Sequence, residues 1–158
     1  MLYALLKLLH LGSVVVWIGG MFFAHFCMRP AAMNLPPPVR VPFMADALGR
    51  FFAIVLWLSL AAVGSGVAMV MRVAQTTRQT GAPFHMTLDW MAMSVLGLVM
   101  LAIFGHIRFV LYKRLQRAVA AQDWPAGGAA LGVIRSWVMV NLVIGTLIVV
   151  IVLLGAVS

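Results

Sequence analysis

The sequence predicts an all-α integral membrane protein, a four-helix transmembrane bundle, from three observations. Mean hydropathy is +1.11, with 65% hydrophobic and 9% charged residues, far from the balance of an ordinary soluble domain. Apolar runs long enough to cross a hydrocarbon core of about 30 Å, roughly 20 residues each, recur four times. The bases collect at the ends of those runs. Eleven Lys and Arg against three Asp and no Glu give a formal charge of +8, which in a soluble chain would suggest nucleic acid. At the ends of apolar runs the same charge reads as topology and contact with anionic headgroups, so the expected surroundings are a lipid bilayer and no nucleic acid.

The first span, Leu2 to Met28, carries Lys7, His10, Trp17, Met21 and His25 at roughly helical spacing, which lines polar groups along one face. It has no small-residue cleavage site after a short apolar core and runs directly into Arg29-Pro30, so it is expected to be a permanent span. Pro30, Pro36, Pro37, Pro38 and Pro42 then predict an extended, stiff connection, with Asp46 to Arg50 leading into a second span, Phe51 to Met71. The polar run Gln75 to Thr80, followed by Gly81 and Pro83, predicts a surface loop over Val73 to Thr87. The third span is Leu88 to Tyr112. A basic continuation from Lys113 is expected to break at Trp124-Pro125-Ala126-Gly127-Gly128 before the fourth span, Val133 to Val157. With no internal repeat, residues 1–158 are read as a single four-span domain. Cys27, the only cysteine, permits no disulfide within the chain and is read as a buried bystander. Asp46 and Asp89 read as helix-end residues, and Asn141 as an interhelical hydrogen-bond residue.

Orientation follows from the bases. Arg29, Arg40, Arg50, Lys113, Arg114, Arg117 and Arg135 fall on one side and chiefly Arg72 and Arg78 on the other, so both termini are expected outside. His25 near the inner end of the first span and His106 in the third then lie at similar depth, within reach of one ligand. His10 lies about 22 Å further out on a similar helix face. Two stacked sites result. The outer one has His10 with Met91, Met93, Met69 or His85 as partners; the inner one has His25 and His106.

Two axial imidazole or thioether ligands from different helices suit a b-type haem. Arg29, Arg50 and Arg108 could pair with propionates of an inner haem, and Lys7 and Arg72 with those of an outer one. Gly64 and Gly66 permit close approach. The expectation is one or two haem b per chain and cytochrome-like electron transfer with a redox partner or quinone, with a haem-dependent oxidoreductase left open. A purely structural membrane partner needs no cofactor and would leave these histidines hydrogen-bonded across helices. A homodimer is compatible with so small a bundle.

The run Leu6-Lys7-Leu8-Leu9-His10, then Trp17-Ile18-Gly19-Gly20-Met21-Phe22-Phe23 and Met28-Arg29-Pro30, resembles the copper-resistance D (CopD) family of bacterial inner-membrane proteins. More distantly it resembles HemJ-type protoporphyrinogen oxidases. Gly49-Arg50-Phe51-Phe52, Ser65-Gly66, Phe104-Gly105-His106, Asp123-Trp124-Pro125, Ile134-Arg135 and Asn141-Leu142 extend the likeness over nearly the whole chain. The resemblance implies a multi-pass protein of the bacterial inner (plasma) membrane. The HemJ likeness implies a haem ligand at His10, but Met91, Ala92, Met93 and Ser94 follow Trp90 where that family carries His and Lys. The CopD likeness implies copper handling, for which His10, His85, Met69, Met71, Met86, Met91 and Met93 offer imidazole and soft thioether donors that favour cuprous ion.

Overall fold

The computed structural model describes residues 1–81 and 83–155. Among these the chain is helical with no strand. Four helices are long and apolar enough to cross a membrane: α1 (Leu2–Ala32), α2 (Pro37–Gln79), α3 (Leu88–Ala120) and α4 (Trp124–Gly155). They run up and down, so α1 packs chiefly on α2 and α3 on α4. One end of the bundle carries the chain termini and the α2–α3 loop; the other, the basic end, carries the two shorter connections. The expected fourth span is described only to Gly155; residues 156–157 lie outside the described residues.

All four helices extend beyond the spans expected from hydropathy, and the reasons are local. The proline-rich connection is helical almost throughout. Pro36 caps α2, and Pro37 and Pro38 occupy its first turn, where a missing N–H costs nothing. Only Pro42 lies inside that helix. Asp46 is therefore within α2 rather than at its end, and pairs with Arg50 one turn on at 3.2 Å. At the other end α2 continues through Gln79, because Thr76 and Thr77 donate to the carbonyls of Arg72 and Val73 and so satisfy their hydroxyls without leaving the helix. The loop is thereby shortened to begin at Thr80. Between α3 and α4 the break falls before Trp124. Gln122 has φ 54°, Asp123 N–H bonds Ala118 O at 2.9 Å, and the Asp123 carboxylate accepts from Ala126 N–H at 2.9 Å. A left-handed stop and an acidic N-cap thus take three residues between them.

Two π-helical turns interrupt the long helices, Ala24–Met28 in α1 and Ile107–Leu111 in α3. The first stands directly before Pro30, whose ring would strike the carbonyl of Phe26 in a regular α-helix. Cys27, expected buried, is exposed on this turn.

The packed core is confined to the basic half. The buried residues nearest the termini are Ser13, Ser65, Met100 and Gly145; beyond them no described residue is buried. Below that level Trp17 packs edge-on against Phe104 (5.8 Å between centroids), Phe104 against Phe52 (6.2 Å) and Phe52 against Tyr112 (5.5 Å). The Tyr112 hydroxyl donates to Ala45 O at 3.0 Å over Gly49, where an added Cβ would collide with that hydroxyl. Tyr112→Phe should cost about 1 kcal/mol in thermal unfolding of the detergent-solubilised protein. Gly49→Ala should cost more alone than in the Tyr112→Phe background, a coupling that a double-mutant cycle reads directly.

Candidate functional site

His10 lies on the stripe of α1 that carries the buried Ser13, Trp17 and Met21. Its ring rests on Gly66 of α2, where an added Cβ would lie 3.3 Å from Cε1. Nδ1 lies 2.8 Å from the carbonyl oxygen of Ala62. A carbonyl can only accept, so Nδ1 is the protonated nitrogen. The Ser65 hydroxyl, 3.4 Å from Nδ1, donates to Ala61 O. Nε2 is left with its lone pair and with no hydrogen-bond partner among the described residues. Metal-binding histidines are characteristically held this way, one nitrogen fixed by a backbone carbonyl and the other presented to the ion.

The depth of the methionines follows from Gly145, where an added Cβ would meet both Ile18 and Met100 at 3.1 Å. From Ile18 to His10 is about 12 Å toward the termini, and from Met100 to Met93 about 10.5 Å, so His10 and Met93 share a level. Met93 returns to the face of the buried Met100 after about two turns and is half-buried. Met91 falls on the opposite face and is 44% exposed. Met69 lies one turn beyond Gly66 on the face of Ala62 and Ser65 and is half-buried. Of the donors named from sequence, His10, Met69 and Met93 are therefore each half-buried toward the terminal end of the bundle. His85 and Met86 lie in the loop before α3, His85 exposed and Met86 half-buried. Lys7 and Arg72 are exposed near the same end. Gly64 faces open space while Gly66 receives the imidazole, so only one of the two glycines makes the expected close approach.

The inner pair is not brought together. His25, on the first π turn, lines a cavity with Arg29, Arg40 and Arg135. His106 is exposed and stacks edge-on against Trp137 at 5.6 Å. Positions 135 and 137 point in nearly opposite directions from α4, so the two histidines lie on different sides of that helix. Spacing matched them by depth alone, and it is helical phase that separates the rings. The arginines expected at propionates do not converge either. Arg50 is engaged by Asp46, Arg108 lies over the Tyr112 ring at 5.3 Å with its Nε buried and unpartnered, and only Arg29 lines the cavity. Asn141 makes the expected interhelical bond, from Nδ2 to Met100 O at 3.3 Å. No cluster of three His, Cys, Asp or Glu suited to a metal occurs among the described residues. Ser65 and the Ala62 carbonyl support the His10 ring; the small-polar run Gly64-Ser65-Gly66 was their only sequence signal.

The two glycines give a stability test of this geometry. Gly66→Leu should displace the His10 ring and lower the free energy of unfolding by about 1–3 kcal/mol, whereas Gly64→Leu should leave it nearly unchanged in the same detergent assay.

No curated protein and no solved structure matches this chain. The family model described as Copper resistance protein D (CopD) matches residues 45–154, which takes in most of α2, all of α3 and nearly all of α4. With four membrane-spanning helices and this match over more than half of its length, the chain is a multi-pass membrane protein that belongs to the copper-resistance protein D family.

Proposed function

We propose that this protein captures cuprous ion at the outward-facing level of the bundle, with His10 Nε2, Met69 and Met93 as its donors. The observation that carries the reading is the His10 hydrogen bond to Ala62 O, which fixes the tautomer and leaves Nε2 available. Imidazole with two thioethers is a soft, uncharged donor set. It favours Cu(I) over hard divalent ions and suits a site without carboxylates.

The family match supports copper over haem. Copper enters as cargo. Above His10 none of the described residues is buried, so an ion can approach from the terminal end, while the buried Trp17, Phe104 and Phe52 close the way below. In this conformation the bundle can bind at its outer level but offers no continuous path. Passage inward would require the aromatic rings to part, a gating step of the kind seen where packed elements have two arrangements. The residues do two things in this scheme. His10 is held rigid from behind, and Met69 and Met93 supply polarizable sulfur on unbranched, adaptable side chains.

Competition with a chromogenic Cu(I) chelator tests the assignment. Wild-type protein should hold one Cu(I) per chain, and His10→Ala, Met69→Leu and Met93→Leu should each weaken it by at least about tenfold. Met91→Leu and His106→Ala should leave binding unchanged. Equal losses for Met91→Leu and Met93→Leu would remove the site.

A further inference from the structure

The cavity at the basic end is a second site, chemically opposite to the first. It encloses about 210 Å³ between the π turn of α1, the start of α2 and the start of α4, and is lined by His25, Arg29, Arg40 and Arg135 among apolar walls that include Met44 and Leu131. Three guanidinium groups around one cavity repel one another unless an anion lies between them. The chain itself cannot supply that anion. Its three acids are all accounted for: Asp46 pairs with Arg50, Asp123 caps α4, and Asp89 lies at the far end of the bundle beside Gly155. The side-chain bond found for these arginines is a long one, from Arg40 to the Met33 sulfur at 3.7 Å.

From this cavity we infer that the protein binds a phosphate-bearing anion there, held by Arg29, Arg40 and Arg135. Guanidinium forks match phosphate oxygens in geometry and charge. The apolar walls and the position at a helix-end level where bases collect fit the headgroup of an anionic lipid, with acyl chain along the walls. The π turn contributes by widening α1 where His25 and Arg29 enter the lining, a common use of such turns. This site stands apart from His10 and does not rest on the copper reading.

The test is the thermal unfolding midpoint of the detergent-purified full chain titrated with phosphatidylglycerol, phosphatidylcholine or inorganic phosphate. Phosphatidylglycerol should raise the midpoint where phosphatidylcholine does not. Arg40→Gln and, at the exposed cavity rim, Arg135→Gln should each shift the required concentration upward by at least about tenfold. Arg50→Gln, which removes an exposed arginine outside the cavity, should not. A rise with inorganic phosphate that depends on the same arginines would uphold the anion site and assign it to a soluble ligand. Equal effects of the two lipids with none from phosphate, or an equal loss in Arg50→Gln, would overturn the inference.

Discussion

Apolar helices in a bilayer gain little from hiding apolar surface from one another, because lipid tails solvate it equally well; what orders them is close packing and the few polar groups that find partners across helices. In this chain those partners form a series. His10 of α1 bonds Ala62 O of α2, Tyr112 of α3 bonds Ala45 O of α2, and Asn141 of α4 bonds Met100 O of α3. Each pair of helices consecutive in the chain is stapled by one such bond to a backbone carbonyl. A glycine lies at or within about one turn of each staple: Gly66 under His10, Gly49 under Tyr112, and Gly145 against Met100. The small residue brings the backbone close, and the polar side chain fixes register. One of the three staples has a second nitrogen to offer, and that is what turns a structural bond into a candidate metal site.

The bundle also separates charge by level. Where His10, Met69 and Met93 lie, the donor set is neutral and soft, and the packing opens toward the termini. At the opposite end the lining is cationic and the carboxylates are used elsewhere. Between the two stands a layer of buried aromatic rings. A copper ion leaving past three arginines would meet a repulsive field, which an anion held in that cavity would relieve.

Much of this was legible before any coordinates. Four spans follow from hydropathy, and the interhelical bond of Asn141 follows from a polar side chain on a membrane helix face. Helix ends were less legible. Pro37 and Pro38 read as breakers but serve as a helix start, and Gln75 to Gln79 reads as loop although its threonines bond back into the helix. The inner histidines could not have been placed from spacing. His25 and His106 were paired by expected depth alone, and His25 lies on a π turn, whose extra residue changes the phase of the positions that follow. Met91 and Met93 were equivalent candidates from sequence; the face marked by Met100 distinguishes them. The arginine cavity was visible only as a count of bases used for orientation, since Arg29, Arg40 and Arg135 come from three different helices.

X-ray absorption at the copper edge on Cu(I)-loaded protein tests the central claim most directly, because it reads the donor atoms themselves. The account predicts a shell containing one imidazole nitrogen and two sulfurs in the wild type, with the imidazole signature lost in His10→Ala. A shell of oxygen and nitrogen alone, or a spectrum that His10→Ala leaves unchanged, would contradict it.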